Sequence, residues 1–124
     1  MQGNIGLFVI LMMGLTFDWL FQTDSEAMGK FANPKIRAKH SATYAIMSGL
    51  LVFFMFSIPF TRVIGLTMVL FSTHFLIDDR VFVKWWMTKI KEIPSENLKD
   101  LWWMNIAIDQ IFHIWVIFIL AVTF

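Results

Sequence analysis

The sequence contains no cysteine, and this absence removes two kinds of chemistry from consideration. No disulfide can form, and no thiolate is present to bind a metal. Cysteine usage therefore does not indicate the redox compartment of the protein. A metal ion bound by this chain would have to be held by histidine and carboxylate side chains.

Charged residues are also scarce, at 15% of the 124 residues, whereas a typical soluble domain has about 25%. Apolar residues make up 58% of the chain, more than a soluble domain of this size can bury. With a net charge of +1, no nucleic-acid footprint is visible. No glycine-rich phosphate loop, H-E-x-x-H helix or serine-centred elbow occurs either. These absences favour a membrane protein whose function lies in or against the bilayer.

The apolar residues fall into four blocks of membrane-spanning length. A bilayer core about 30 Å thick requires about 20 apolar residues in a helix. The sequence therefore predicts an all-α membrane protein with one integral membrane domain over residues 1–124, built as a four-transmembrane-helix bundle. The four predicted helices cover residues 3–22, 41–60, 62–79 and 101–124.

Nine of the ten basic residues lie in two segments, one between predicted helices one and two and the other between helices three and four. In a four-helix topology both segments lie on the same side of the membrane. The positive-inside rule places that side in the cytoplasm. We therefore predict a multi-pass protein of the inner, cytoplasmic membrane with both termini outside, whose basic loops contact lipid headgroups.

The second basic segment carries a short amphipathic pattern. Apolar side chains recur at helical spacing while polar ones fall opposite; the apolar set is Phe82, Trp86, Ile90 and Ile93. This pattern predicts a short amphipathic helix in the membrane interface. An extension of helix three is the alternative interpretation.

Several polar side chains occur inside the predicted membrane helices, where they are costly and usually face the bundle interior with a partner. Three pairs have i,i+4 spacing, which places both members on one helix face. All three histidines of the chain belong to this set. The pairs are Asp18 with Gln22, His74 with Asp78, and Asp109 with His113, and His40 opens the second helix.

The order of histidine and aspartate is reversed between helices three and four. Because these helices run antiparallel, we expect His74 to face Asp109 at one level. Imidazole and carboxylate suit Zn, Mn or Fe, and a ligating histidine commonly donates its other N–H to a carboxylate. We therefore predict a divalent metal site near the cytoplasmic face. Its predicted ligands are Asp18, His74, Asp78, Asp109 and His113, and the polar residues around it are Gln22, Lys30, His40 and Gln110.

The alternative is that the same residues are structural. Hydrogen-bonded polar pairs join many membrane helices, and some of the aspartates would then be protonated. For the two glutamines taken separately, interhelical hydrogen bonding is the simpler interpretation.

The polar residues also form recognisable motifs. The chain reads D-W-L-F-Q-T-D from Asp18, H-F-L-I-D from His74 and D-Q-I-F-H from Asp109, with Lys30 and His40 between the first two. This arrangement resembles an uncharacterised family of small bacterial and phage inner-membrane proteins with the pattern D-F-x-L-Q-T-D, H-x-x-x-D and D-Q-x-x-H. That family is similar in turn to proteins described as membrane-bound metal-dependent hydrolases. The resemblance covers nearly the whole chain and implies the same metal-dependent chemistry.

One position departs from that family pattern. The family has a histidine four residues before the first aspartate, and this chain has Gly14 there. If the histidine binds metal in the relatives, the site in this chain is rearranged or catalysis is absent.

Three functions remain open from the sequence. The first is a metal-dependent hydrolase in which the ion activates water for attack on a lipid-like substrate. The second is a non-catalytic membrane module that oligomerises or binds a partner. The third is a proton or ion pathway. It is disfavoured because the His and Asp residues all lie in the cytoplasmic half, so no continuous path crosses the outer half of the membrane. We expect membrane lipids and a second copy of the chain as partners, and no nucleic acid.

Overall fold

A computed structural model describes residues 2–124, with side chains from residue 4 onward. Helices fill most of this range, and it contains no strand. Four long helices form a bundle, and the shorter ones lie in two of its connections. The helices are α1 (Gln2–Phe21), α2 (Asp24–Gly29), α3 (Pro34–Met55), α4 (Phe60–Asp78), α5 (Val81–Trp85) and α6 (Trp102–Thr123). The prediction of an all-α protein is confirmed.

The short helix α2 and the long helix α3 each begin at a capping residue. Thr23 caps α2 and forms a capping box with Glu26. The side chain of Asn33 caps α3, and Pro34 takes the first helical position, where its missing N–H costs nothing. Since α3 begins at residue 34 and not at 41, His40 lies in its second turn.

Three of the described helices are long and apolar enough to cross a membrane, and they span Asn4–Phe21, Phe60–Asp78 and Trp102–Thr123. The prediction of four membrane spans is wrong by this measure, because 41–60 is not among them. α3 ends at Met55, five residues before the predicted end, and its first two turns contain Lys35, Arg37 and Lys39, so its apolar stretch is shorter than expected. Three such helices are still typical of a membrane protein.

Small residues bring α3 close to its neighbours. Gly14 of α1 packs on Ser48, and Gly49 packs on Thr67 of α4, so closely that an added Cβ would collide with the hydroxyl in each case. Membrane helices commonly pack through small residues in this way. α6 completes the bundle against α1 and α4.

The interior of the bundle changes character along its length. The half distant from the two short-helix connections is apolar, with a core that includes Leu11, Val52, Leu66, Ile117 and Leu120. The half next to the connections contains the buried histidines and aspartates. The Arg37 guanidinium pairs with the Asp79 carboxylate at 2.6 Å, which joins the start of α3 to the end of α4. Both basic segments therefore lie at one end of the bundle.

The segment after α4 forms a short helix between the third and fourth long helices, as predicted, but it buries unexpected residues. α5 continues into a π-helical turn. Val83 and Met87, one turn apart, are completely buried against α6. Phe82 and Ile90, from the predicted apolar face, are about half exposed. The residues buried in the bundle are therefore offset by one from that face, and its contact with the membrane interface stays a prediction.

Candidate functional site

All three histidines meet in one buried cluster. His40 of α3, His74 of α4 and His113 of α6 are each at most 4% exposed. The ring centres of His74 and His113 are 4.5 Å apart, and those of His40 and His74 are 5.2 Å apart. Tyr44 stacks on His74 with a centroid distance of 4.2 Å. This stacking holds the His74 ring at the centre of the cluster.

The first set of converging atoms comes from α1, α3 and α4. His40 Nε2 lies 2.8 Å from Asp18 Oδ1 and 3.3 Å from His74 Nε2. Asp18 Oδ1 is 3.5 Å from His74 Nε2. With Zn–N distances of about 2.0–2.1 Å, two ligands of one tetrahedral zinc ion lie about 3.3 Å apart. These three atoms therefore have the mutual spacing of ligands to one ion.

A second set shares His74 and adds residues at the end of α4 and on α6. Asp78 Oδ2 is 3.3 Å from His74 Nε2, and Asp78 Oδ1 is 3.8 Å from His113 Nε2. His113 Nδ1 lies 2.8 Å from the backbone carbonyl of Asp109, which can only accept, so Nδ1 carries the proton. His113 Nε2 then bears a lone pair, and it is buried with no hydrogen-bond partner. A ligating histidine is usually fixed in this way.

The carboxylate oxygens of the cluster lack well-aligned donors. Asp18 Oδ1 and Asp78 Oδ2 are buried without a hydrogen bond of proper geometry. The nearest nitrogens nevertheless approach them to 2.8 and 3.1 Å. Oxygen and nitrogen atoms that lie this close without forming hydrogen bonds surround a common space between the helices. Because a buried charge is costly without compensation, such a space favours a cation.

Lys30, at the end of α2, extends its ammonium group into the cluster. Its Nζ lies 3.1 Å from Asp78 Oδ2 and 3.5 Å from His40 Nε2, and it donates to Gln22 Oε1 at 3.0 Å. Lys30 is only 7% exposed. The positive charge of Lys30 partly neutralises the carboxylates of the cluster. The alternative interpretation, that the cluster is structural and holds no metal, therefore has a physical basis.

Asp109 lies beside the cluster. Its carboxylate is not within 4 Å of His74 and comes closest to the ring of His113, with Oδ2 3.8 Å from Nδ1. The expected pairing of His74 with Asp109 is therefore wrong, because the packing of α4 on α6 brings His74 to His113. Gln110 donates to Asp109 Oδ2 at 3.0 Å and accepts from Trp19 Nε1 at 3.1 Å, which joins α6 to α1.

His40 is more central than the sequence indicated. The predicted second helix began at residue 41, so His40 counted only as a residue around the site. Its Nε2 in fact lies within 3.5 Å of Asp18, His74 and Asp78. The capping pair Asn33-Pro34 is the sequence signal that could have placed His40 well inside the helix.

Gly14 lies one turn before Asp18, at the position where the resemblance drawn from the sequence implies a histidine. Its backbone packs on Ser48, and any side chain would have to displace that residue. The close packing of α1 on α3 therefore fills the place of the missing histidine.

A cavity of about 290 Å³ adjoins the cluster, with walls from α1, α6 and the two connections. Asp18 and Lys30 belong both to the cluster and to this wall, and Asp109 and Arg80 line it as well. The Arg80 backbone is left-handed, with φ 60°. Burial lowers the pKa of the Arg80 guanidinium, while the negative charges of Asp109 and Asp78 oppose that shift.

Comparison with known proteins adds a family but no described function. No curated protein and no solved structure matches the chain significantly. A family model matches residues 7–124, a range that includes every residue of the cluster. The chain therefore belongs to a family of proteins of unknown function, DUF3307.

Proposed function

We propose that this chain is a membrane protein that binds one divalent metal ion between its helices. The observation that carries the proposal is the convergence of Asp18 Oδ1 and the Nε2 atoms of His40 and His74 at mutual distances of 2.8 to 3.5 Å. Asp78 and His113 are the further ligand candidates, because both have buried atoms beside His74 without a hydrogen-bond partner. Zn, Mn and Fe are the ions that suit this set.

The charges of the cluster support the same proposal. Asp18, Asp78 and Asp109 carry three negative charges, and Lys30 is the one ammonium group in contact with them among the described residues. With neutral histidines and ionised carboxylates, two negative charges remain without a cation in contact, since Arg80 lies near Asp109 but forms no ion pair with it. A divalent cation supplies the matching charge, whereas burying the excess charge alone would strongly destabilise the fold.

We further propose that the bound metal serves hydrolysis of a lipid-like substrate. The metal would supply an activated water molecule. The adjoining cavity supports this role, because Asp18 lines it and a substrate entering there would reach the edge of the cluster. Asp109 also lines the cavity and is suited to accept a proton from that water.

A second candidate is a non-catalytic module in which the cluster is purely structural. The contact of Lys30 with Asp78 favours it, because an internal cation and protonated histidines could neutralise the carboxylates without metal. The glycine at position 14 also favours it.

Metal analysis of detergent-purified protein tests the proposal. We expect about one zinc, manganese or iron ion per chain, retained in Asn105→Ala and absent from His74→Ala. Asn105 is the matched control because it is buried on α6 but belongs to neither set of converging atoms. Wild-type protein that remains metal-free after incubation with all three ions would overturn the metal site. Wild-type protein that binds no metal, together with a large loss of stability in a His74→Gln, Asp109→Asn variant, would favour the structural module.

A further inference from the structure

Arg80 presents a cation to the cavity without an acidic partner. No carboxylate of the described residues lies within 4 Å of its guanidinium, and its Nε is buried without a hydrogen bond. The guanidinium carbon instead lies 3.7 Å from the centre of the Phe31 ring. Its left-handed backbone conformation is uncommon for a residue other than glycine, and such conformations cluster at functional sites.

An acidic residue lies next to Arg80 in the sequence but pairs with a different arginine. Asp79 directly precedes Arg80, but its carboxylate pairs with Arg37 at 2.6 Å. Arg37 also lies 4.5 Å from the centre of the Phe75 ring. The Nε atoms of both arginines are buried without a hydrogen bond, but of the two only Arg80, which lines the cavity, lacks a carboxylate partner.

Lys30 extends this positive wall. Lys30 and Arg80 both line the cavity, and Phe31 lies between them, 5.5 Å from Lys30 Nζ and 3.7 Å from the Arg80 guanidinium. Trp19 and Ile106 supply apolar parts of the wall. The cavity thus has two cations on one part of its wall and apolar surface on another, which suits an amphiphile that carries a compact anion once the charge of Asp18 is neutralised.

We propose that this cavity binds a phosphate group, with Arg80 as its direct cationic contact and the Lys30 ammonium as a nearby positive charge. A guanidinium fork matches phosphate oxygens in a bidentate fashion, and an ammonium group adds a point charge. The group is either the headgroup of an anionic lipid or free phosphate, which share this chemistry.

This inference rests on the proposed function and names its substrate class. Asp18 and Asp109 also line the cavity and would repel an anion, so the wall has no net charge until a metal neutralises Asp18. In the hydrolysis of a phosphate ester, the water oxygen bonds to phosphorus and the bond from phosphorus to the lipid oxygen breaks. The lipid oxygen leaves as an alcohol with a proton from the water.

Calorimetric titration of the detergent-purified, zinc-treated full chain tests the inference. The probes are inorganic phosphate and dihexanoyl phosphatidic acid, and the variants are Arg80→Gln, Arg80→Lys and the control Arg62→Gln. Arg62 lies in the first turn of α4, at the opposite end of the bundle. We expect Arg80→Gln to raise the Kd about tenfold or more, since hydrogen bonds to charged groups are the strong ones. Arg62→Gln should leave it unchanged, and Arg80→Lys should fall between them.

The two probes separate the sources of phosphate. Binding of both supports the site for free phosphate and lipid alike, and binding of phosphatidic acid alone assigns it to a lipid. Binding of neither probe, or equal binding by folded Arg80→Gln and Arg62→Gln, overturns the inference.

Metal content measured on the same samples separates this failure from that of the proposed function. One metal ion per chain without phosphate binding overturns the phosphate site alone. Phosphate binding that depends on Arg80, in protein that stays metal-free after incubation with zinc, manganese and iron, supports the site and overturns the metal proposal. The absence of both metal and phosphate under those conditions overturns both.

Discussion

The two halves of the bundle are built on different principles, although the same four helices run through both. In α4, Val63, Leu66 and Leu70 face an apolar core, and one turn later His74 and Asp78 face a polar one. The apolar half buries side chains that favour association wherever they pack well. The polar half buries ionisable groups, and a hydrogen bond between membrane helices contributes only about 0.6 kcal/mol on average. The apolar half therefore holds the bundle together, whereas the buried carboxylates of the polar half require a compensating charge, which the proposed metal ion would supply.

The largest effect is expected from removing the internal cation of the polar half. Lys30→Met should destabilise the metal-free protein by about 3–5 kcal/mol, because Asp78 would lose its buried counter-charge. Saturating zinc should restore much of that loss by supplying the charge. Unfolding by increasing fractions of sodium dodecyl sulfate, with and without zinc, measures both. Lys39→Met is the control, because Lys39 forms an exposed pair with Glu26 that contributes little.

A large loss that zinc does not reduce would instead show that Lys30 is part of a purely structural network. The proposed difference between the two halves would then be wrong, because both halves would serve only to stabilise the bundle.

A smaller but still large effect is expected in the apolar half. Leu11 is completely buried, so Leu11→Ala should cost about 2–5 kcal/mol through lost contacts and a cavity. Metal content should not change, because Leu11 lies in the apolar core. Leu20→Ala makes the same change on the same helix at a residue that is 69% exposed, and it should be nearly neutral. Loss of metal from folded Leu11→Ala would contradict the independence of the two halves.

Where the two halves meet, Gly14 tests the close approach of α1 to α3. Gly14→Ala should destabilise the protein by about 1–3 kcal/mol, because the new methyl group overpacks the contact with Ser48. Adding Ser48→Gly should recover part of that loss. Thermal unfolding followed by circular dichroism in detergent gives both values.

Gly65→Ala is the matched control for that substitution, because nothing lies within 4 Å of the position where its Cβ would stand. It should be neutral or slightly stabilising, since alanine is the better helix former. Equal effects of the two substitutions would mean that no tight contact exists at Gly14.

The smallest effect is expected at the edge of the polar half. Gln110→Ala removes the acceptor for Trp19 Nε1 and should cost about 0.5–1.5 kcal/mol. A double-mutant cycle with Trp19→Phe isolates this hydrogen bond from other effects of each substitution. A coupling energy indistinguishable from zero would show that this contact does not stabilise the packing of α1 on α6.

Much of the fold was predictable from the sequence. Helices 62–79 and 101–124 were predicted within two residues of the observed α4 and α6, because long apolar blocks end where polar or turn-forming residues begin. The start of α3 was missed by seven residues. Its first turns are basic, and hydropathy cannot distinguish a charged helix turn from a loop, whereas the capping residues Asn33 and Pro34 can.

The candidate site was predicted in composition but not in arrangement. The i,i+4 spacing correctly placed each pair on one face, since that spacing is a local property of a helix. The contacts between helices could not be derived in the same way. Whether His74 meets Asp109 or His113 depends on a shift of one helical turn between α4 and α6, about 5.4 Å, which no local pattern specifies.

The sequence by itself determined that this chain is helical and apolar enough for a membrane, and that its few ionisable groups lie towards one end of the long helices. Hydropathy and helical periodicity are local properties, so they can be read along the chain. Only the tertiary structure decided that His40 joins Asp18 and His74, that Lys30 reaches Asp78, and that Arg80 lines a cavity without an acidic partner. These contacts join residues distant in sequence, and their distances depend on how the helices pack.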